Sequence, residues 1–297
     1  MVEQYDPRLR LARSALDRHV DDRAASERRK EHARARRELM TGLETLRTPS
    51  EVARFVDRLD NVTSSVTVSF LNAHAFNSTW DDPQHFAAMR DTTYVLRDGI
   101  GVKIGFWALQ KHPGLNMNGT DFIPRLIKTF RDKRLAIIGA DPHVCGVAAD
   151  RLNKSGATVV YHHHGFEPID FYADAVTPHN PEIVLIAMGV PKQDLVAQVL
   201  RSSLKEPAVI ISGGAIVDFV AGRVARAPMM WRRFGCEWVY RLLQEPRRLA
   251  RRYLIGNPLY LSRLARMAVA GDPERTVATS RTASTEKSPA TQRPEPR

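Results

Sequence analysis

The sequence predicts an α/β protein with a Rossmann-like, mainly parallel sheet flanked by helices and an Arg-rich helical appendage at its C-terminal end. Three observations predict this fold class. Short apolar stretches alternate with amphipathic stretches from residue 135 to residue 212, as buried parallel strands alternate with crossover helices. Hydrophobic residues make up 43% of the 297 residues, which is enough for a sizeable core. Residues 223–266 contain eleven Arg and no Lys.

The N-terminal half shows two helical patterns and two strand patterns. Apolar residues recur at helical intervals before and after a segment in which β-branched residues alternate with polar ones. The predicted elements are a helix over 48–60, strands over 62–71 and 93–96, and a helix over 119–131. We interpret the stretch around Asp81-Asp82-Pro83 as a loop.

The C-terminal half follows a more regular order. Apolar strands are each followed by a turn and an amphipathic helix, and Asp141-Pro142 is a typical helix start. The predicted strands are 135–138, 158–161, 182–188 and 207–212, and the predicted helices are 144–152, 170–176 and 191–202. Residues 216–266 are predicted to be helical, with breaks at Pro228, Pro246 and Pro258.

Composition divides the chain into four parts. Residues 1–47 carry twelve basic and nine acidic residues, which predicts a charged N-terminal arm that is helical or disordered. Residues 48–228 hold the α/β core, and residues 229–266 form the predicted Arg/Trp-rich helical appendage. Residues 267–297 are rich in Ser, Thr, Pro and Arg, and we expect a disordered tail.

Several classes of protein are disfavoured by composition. Two cysteines, Cys145 and Cys236, exclude a disulfide scaffold and fit a reducing compartment. The longest uncharged stretch, residues 61–80, contains eleven Asn, Ser, Thr or His among its 20 residues, so we expect no transmembrane helix. The N-terminus has no apolar signal-peptide region. A cytoplasmic protein is therefore expected.

The basic charge is concentrated near the C-terminus. The net charge is +11, and residues 223–266 contribute +9 of it, with Trp and Tyr interleaved among the Arg. Such a segment suits an anionic membrane surface, a nucleic acid or a bound phosphate. It also suits a charged helix whose apolar face packs on the domain. The residues alone leave these interpretations open.

Polar and glycine residues follow the predicted strands. In an open parallel sheet, ligands bind at the carboxyl ends of the strands. Glycines and helix N-termini at those ends suit a polar ligand that carries phosphates. The residues concerned are Asn72, Asp98, Gly139, His164, Gly189, Gln193, Gly213, Gly214 and Asp218.

Two of these positions invite specific chemistry. Asp98 follows a strand and precedes Gly99, so it is a candidate general base or an ordinary turn cap. His162-His163-His164 invites a metal site, but neighbouring residues of a strand point to opposite faces, so all three cannot bind one ion. We predict no metal site. No Gly-x-Gly-x-x-Gly pattern is present, and we predict no cofactor.

A set of motifs, in a characteristic order, resembles the WecG/TagA/CpsF glycosyltransferases, known as glycosyltransferase family 26. The resemblance covers residues 62–256 and is densest after Gly213. The matching pieces are Arg97-Asp98-Gly99, Asn118-Gly119-Thr120-Asp121, Ile138-Gly139, His164-Gly165-Phe166, Met188 to Gln193, Gly213-Gly214-Ala215 with Asp218, Arg226-Ala227-Pro228, Glu237-Trp238, Tyr240-Arg241-Leu242, Glu245 to Arg248 and Arg251-Arg252-Tyr253.

The resemblance implies transfer of a sugar from a UDP-sugar to a polyprenyl-diphosphate-linked saccharide, with inversion and without a metal, in bacterial exopolysaccharide or cell-surface polysaccharide synthesis. It implies that Asp98 is the catalytic base. It implies that Gln193 and the glycines at 139, 189 and 213 line the nucleotide-sugar site. By matching position, the further expected substrate-binding residues are Asn72, Asn118, Asp121, His164, Gly214, Asp218 and Arg226.

The resemblance also implies a role for the appendage. Arg241, Arg248, Arg251 and Arg252 are expected to reach the diphosphate, and the apolar face is expected to touch the inner face of the cytoplasmic membrane. The expected partners are therefore the UDP-sugar donor, the lipid-linked acceptor and the membrane surface. The alternative function is a nucleic-acid-binding α/β module that uses the basic segment. The sequence does not decide the oligomeric state, and a homo-oligomer is compatible with it.

Overall fold

The computed structural model describes residues 7–269, with side chains from residue 23 onward. Glu38–Leu264 form one compact unit, and a second unit combines the residues up to Arg37 with those from Ala265. The first unit contains the α/β fold and every predicted site residue. The prediction of disorder after residue 269 lies outside the described residues.

Six strands and fourteen α-helices make up the described chain. The strands are β1 (Val66–Leu71), β2 (Tyr94–Arg97), β3 (Arg134–Gly139), β4 (Thr158–His163), β5 (Ile183–Ala187) and β6 (Val209–Ser212). The helices are α1 (Pro7–Thr41), α2 (Pro49–Asp60), α3 (Ala73–Asp81), α4 (Pro83–Arg90), α5 (Gly99–Ala108), α6 (Gly119–Thr129), α7 (Pro142–Lys154), α8 (Phe171–Val176), α9 (Lys192–Ser203), α10 (Ile216–Val220), α11 (Met229–Arg233), α12 (Glu237–Gln244), α13 (Pro246–Ala250) and α14 (Gly256–Val269).

The strands form one sheet in the order β2-β1-β6-β5-β3-β4, and every pair is parallel. This confirms the predicted α/β class. Strands β1, β5 and β6 are buried along their whole length, because helices cover both faces of the sheet. The sequences of β5 and β6 are accordingly apolar runs, whereas β1 alternates apolar residues with the buried Thr67 and Ser69.

Alternate residues of the central strands pack into two separate hydrophobic cores, one on each face of the sheet. Leu135 and Ile137 of β3 pack with α6, α7 and α10 on one face, whereas Ala136 and Ile138 pack with α8 and α9 on the other. The helix that follows β3 and the helix that follows β5 therefore lie on opposite faces. Neighbouring strands whose helices diverge in this way define a switch point, where open α/β sheets bind ligands.

The interpretation of the stretch around Asp81-Asp82-Pro83 as a loop is wrong. Two short helices, α3 and α4, lie between Ala73 and Arg90. Their N-termini are capped by polar side chains: Asn72 Oδ1 accepts from the amides of His74 and Ala75, and Asp82 Oδ1 accepts from that of Gln84. Polar residues of this kind are common in loops, but here they satisfy free helix amides. The first strand also begins four residues later than predicted, at Val66.

Helix α5 was missed as well, because it contains three glycines. A Cβ at Gly105 would lie 2.7 Å from Met40 Sδ and 2.8 Å from Tyr260 Oη. This glycine therefore permits close packing of α5 against α1 and α14. Glycines in a sequence often indicate a flexible backbone, but the glycine at 105 is required here because the neighbouring helices leave no room for a side chain.

Residues 216–266 are largely helical, as predicted. A π-helical stretch, Arg251–Ile255, joins α13 to α14, so the predicted break at Pro258 is wrong. Pro258 lies in the first turn of α14, where a missing amide hydrogen is tolerated. Within the described residues, no helix combines the length and apolarity needed to span a membrane.

Candidate functional site

The switch point lies between β3 and β5, where two backbones approach closely. A Cβ at Gly139 would overlap the backbone of Ala187, and a Cβ at Gly165 would lie 3.1 Å from Gly139 Cα. Gly189 and Gly214 have φ values of +81° and +60°, and a Cβ at either would meet open space. The turns after β5 and β6 therefore leave open space beside their half-buried glycines, whereas the turn after β3 packs closely on Ala187.

Gln193 joins two of these turns. Its Oε1 accepts from the Gly189 amide at 3.2 Å and from the Gly214 amide at 3.0 Å. The side chain is buried, so its oxygen is held between protein amides. Gln193 therefore shapes the edge between the β5–α9 and β6–α10 turns, a role that the sequence pattern did not reveal.

The residues on either side of Gln193 make further anchors. Lys192 Nζ donates to the carbonyls of Gly165 and Glu167, at 2.8 and 2.5 Å. Asp194 accepts from Ser69 Oγ of β1 at 2.7 Å. We call Lys192, Gln193 and Asp194 the α9 anchor. Together they fix the loop after β4, the turns after β5 and β6, and strand β1.

Asp194 belongs to a buried polar chain. His85 Nε2 lies 3.0 Å from Asp194 Oδ2, and His85 Nδ1 lies 2.8 Å from Ser78 Oγ. Asp194 and His85 are fully buried, and each has hydrogen-bonding partners, as buried polar groups require. The chain connects α9 with α3 and α4.

Asp98 lies at the other end of the same edge. It precedes α5 but makes no side-chain capping bond, which removes the turn-cap interpretation. Asn72 Nδ2 donates to Asp98 Oδ2 at 3.1 Å. Burial raises the pKa of Asp98, and the Asn72 bond and the guanidiniums of Arg252 and Arg241 offset part of this rise. A half-buried carboxyl with a raised pKa suits proton transfer.

Two arginines near Asp98 have no acidic partner. Within the described part of the chain, neither Arg241 nor Arg252 forms an ion pair, and the Nε of each is buried without a hydrogen-bond partner. Burial lowers the pKa of Arg252, and the nearby positive charge of Arg241 lowers it further. Half-buried cations without a counter-ion are costly, so this pair of side chains is suited to receive an anion.

Glu237 is a second carboxylate here that was not predicted as a site residue. It is the first residue of α12, and Gly235 just before it packs against Ile100, two residues after Asp98. Burial and the charge of Asp98 raise the pKa of Glu237, and Arg226 is among the arginines that oppose the rise. No local pattern could have revealed this pairing, because the two acids lie far apart in sequence.

Asn118, Asp121 and Arg226 are brought together, but chiefly to bind one another. Asp121 accepts from Asn118 Nδ2 at 2.9 Å, from Arg226, and from Arg232 Nη2 at 2.8 Å. Burial raises the pKa of Asp121, but the bonds from Asn118 and Arg226 outweigh it and leave a lowered pKa. This cluster fixes the start of the C-terminal helices beside α6.

The remaining predicted residues divide between the edge and the surface. Gly213 follows β6, and a Cβ there would collide with Ile216. Asp218 is buried, 3.5 Å from Arg223 Nη1, and burial raises its pKa. Arg248 is exposed and pairs with Glu245. Arg251 is exposed as well, so these two arginines differ from the half-buried pair beside Asp98.

His164 lies in the loop after β4, next to the switch point. Its Nε2 is 3.7 Å from Glu167 Oε1. Potential ligand atoms of His163, His164 and Glu167 lie within 4.8 Å of one another. The alternation argument separates His162 from His163 but fails for His164, because β4 ends at His163.

Comparisons with known proteins identify the family of the chain. A model of the glycosyl transferase WecG/TagA/CpsF family matches residues 39–272. A Bacillus spizizenii protein named N-acetylglucosaminyldiphosphoundecaprenol N-acetyl-beta-D-mannosaminyltransferase is 26% identical over 222 residues, covering 72% of this chain and 85% of that protein. A Staphylococcus aureus protein of the same name is 23% identical over 211 residues, covering 69% and 81%. The chain belongs to the WecG/TagA/CpsF family of glycosyltransferases.

Proposed function

We propose that this glycosyltransferase transfers a sugar from a UDP-sugar to a polyprenyl-diphosphate-linked saccharide, with inversion and without a metal ion. The observation that carries the proposal is the proximity of Asp98 to Arg241 and Arg252, neither of which forms an ion pair with a described residue. A general base beside an anion-binding pair is what transfer from a diphosphate donor requires.

The two ends of the sheet edge suit the two ends of the donor. The glycine turns after β5 and β6 leave open space next to the switch point, which suits a nucleotide diphosphate. Asp98 follows β2, four strand positions from β3, or about 19 Å at the usual strand spacing. An extended nucleotide sugar bridges such a span, with its anomeric carbon toward Asp98.

The proposed step transfers one proton and replaces one bond at the anomeric carbon with another. Asp98 takes the proton from the acceptor hydroxyl as that oxygen attacks the anomeric carbon from the face opposite UDP. The bond between the anomeric carbon and the β-phosphate oxygen breaks, and UDP leaves with the electron pair. Arg241 and Arg252 would stabilise the charge that develops on the phosphate, a contribution that fixed cations supply well in a half-buried site.

The acceptor proposal rests on the relatives and on the surface. The two relatives are named for an undecaprenol-linked acceptor. In this chain, six apolar side chains between residues 229 and 255 are each at least 61% exposed, and exposed Arg lie among them. Such a surface suits contact with an anionic membrane. The exposed apolar residues are Met229, Met230, Phe234, Leu243, Leu254 and Ile255.

The test is UDP release from a panel of UDP-sugars, with and without a polyprenyl-diphosphate-linked sugar. We expect release from one donor that depends on the acceptor and persists in EDTA, with an inverted product. Loss of release in EDTA would contradict the metal-independent step. No acceptor-dependent release from any donor would contradict the proposed reaction.

A binding control addresses the nucleic-acid alternative. UDP should raise the melting temperature of the protein, because a ligand that binds only the folded state stabilises it. A random oligonucleotide should have little effect at physiological salt. The reverse pattern would favour the nucleic-acid-binding alternative.

A further inference from the structure

The loop after β4 combines rigidity with an exposed aromatic ring. Residues 164–170 connect β4 to α8, and we call them the β4–α8 loop. Phe166 in this loop is 71% exposed. The loop that carries this ring is held in place by hydrogen bonds along its backbone.

Five hydrogen bonds hold the loop from three directions. The Gly165 amide donates to Ala140 O at 3.1 Å, which fixes the loop to the turn after β3. Lys192 Nζ donates to Gly165 O and Glu167 O. Tyr172 Oη donates to His164 O at 3.0 Å and accepts from the Glu167 amide at 3.1 Å.

Two of the anchoring groups are unusually secure. Burial raises the pKa of Tyr172 to about 12, so its hydroxyl keeps the proton that it donates to His164 O. Lys192 belongs to the α9 anchor, whose next residue, Gln193, fixes the turns after β5 and β6. The β4–α8 loop and the glycine edge are therefore held as one frame.

The loop brings its aromatic ring to the nucleotide end of the edge. A Cβ at Gly165 would lie 3.0 Å from Met188 Cγ and 3.1 Å from Gly139 Cα, so the residue before Phe166 touches the switch point. The His164 ring lies beside the Phe166 ring, with centroids 5.6 Å apart. Strand β4 is at the opposite end of the sheet from β2 and Asp98.

We propose that Phe166, supported by His164, is the stacking platform for the pyrimidine base of the nucleotide donor. The inference deepens the proposed function and rests on it. A donor with its sugar at Asp98 and its diphosphate over the glycine turns extends its base toward the β4 end of the edge. A base stacks on an aromatic ring without needing specific hydrogen bonds.

The test separates the base from the phosphates. Binding of UDP and of inorganic pyrophosphate is measured by titration calorimetry for the wild type and for Phe166→Ala. Loss of base stacking should weaken UDP binding about 5- to 150-fold, the range that corresponds to one stacked base. Pyrophosphate binding should not change. Phe166→Trp should retain UDP affinity and show fluorescence quenching on UDP binding.

A matched control removes another exposed aromatic ring. Trp107 of α5 is 55% exposed and lies at the end of that helix away from Asp98. Trp107→Ala should leave UDP binding unchanged.

Two kinds of failure can be told apart. Unchanged UDP affinity in Phe166→Ala, or an equal loss for UDP and pyrophosphate, would overturn the stacking role alone. A wild-type protein that binds no UDP would overturn the proposed function together with it.

Discussion

The carboxyl edge of the sheet is built in two different ways. Over β3, β5 and β6 it consists of glycine turns held by the α9 anchor, and the exposed groups are largely backbone. Over β1 and β2 it consists of side chains, with Asp98 and Asn72 from the strand ends and Arg241 and Arg252 from the C-terminal helices. We call these the backbone half and the side-chain half.

The difference matches what each half is proposed to do. A nucleotide diphosphate must be held in one position, and rigid turns whose glycines leave room for it do this without long flexible side chains. The reacting centre needs a group that accepts a proton and cations that stabilise developing charge, and only side chains supply these. The comparison predicts that variants in the two halves affect binding and turnover separately.

The largest expected effect is in the side-chain half. Asp98→Asn removes the proposed base but keeps the shape and a partner for Asn72. Turnover should fall about 10²- to 10⁴-fold, the usual contribution of a general base, while UDP still raises the melting temperature. Unchanged turnover in an acceptor-dependent UDP release assay would remove Asp98 as the base.

The variant Arg252→Met tests whether the guanidinium of Arg252 serves catalysis or stability. Arg252→Met should lower kcat about 10²- to 10³-fold, as expected when a group that stabilises transition-state charge is lost. Its melting temperature should stay the same or rise, because a half-buried cation without a partner is removed. Equal kcat for this variant and the wild type would contradict the role of Arg252.

Arg263→Met provides the matched control. Arg263 is buried, donates to Asn77 O at 2.9 Å and pairs with Asp81. Its loss leaves buried acceptors unpaired and should cost about 1–3 kcal/mol of unfolding free energy. The melting temperature of Arg263→Met should therefore fall, whereas that of Arg252→Met should stay the same or rise.

The backbone half is tested with Gln193→Ala. Loss of its Oε1 releases the Gly189 and Gly214 amides, so the turns lose a shared anchor and UDP binding should weaken about tenfold, equivalent to about 1.4 kcal/mol. kcat at saturating donor should change little. Gln198→Ala, on the same helix and bonded to Ala88 O instead, should keep UDP affinity in the same calorimetric titration.

The smallest expected effect concerns pH. Because burial raises the pKa of Asp98, the acid limb of kcat/KM should lie above the ordinary Asp value of about 3.9. The Asp98 charge also helps to raise the pKa of Glu237. Asp98→Asn should therefore lower the pKa of Glu237, a change followed by an NMR titration of its side chain, whereas Glu206→Gln at an exposed position should leave it unchanged. An unchanged Glu237 pKa in Asp98→Asn would contradict the coupling.

Most of the fold was predictable from the sequence. Three of the four strands after residue 130 are buried apolar runs, and the fourth, β4, is partly exposed at the edge of the sheet. Turn residues flank all four, and the structure has them with shifts of one or two residues. Helices α3 and α5 were not predictable in the same way. Asn72 and Gly105 are typical of loops when considered alone. A local hydrogen bond shows that Asn72 caps α3, and a tertiary contact shows that Gly105 makes room for Tyr260.

The candidate site was predictable only where it depends on strand ends. Asp98, Gly139, Gly189 and Gly214 follow from that rule. Two features of the site join positions that no local pattern connects. Asp98 lies close enough to Glu237 to affect its pKa, and Gln193 Oε1 accepts hydrogen bonds from two amides in different turns. Such contacts depend on how the chain returns to the sheet edge, which spacing along the sequence does not record.

The most direct test of the two-part edge measures Asp98→Asn and Gln193→Ala side by side, with UDP affinity from calorimetry and kcat from acceptor-dependent UDP release. The account predicts opposite patterns. Asp98→Asn should keep UDP affinity and lose kcat, whereas Gln193→Ala should lose UDP affinity and keep most of kcat. If both variants lose affinity and kcat together, the edge acts as a single unit and the division into a backbone half and a side-chain half is contradicted.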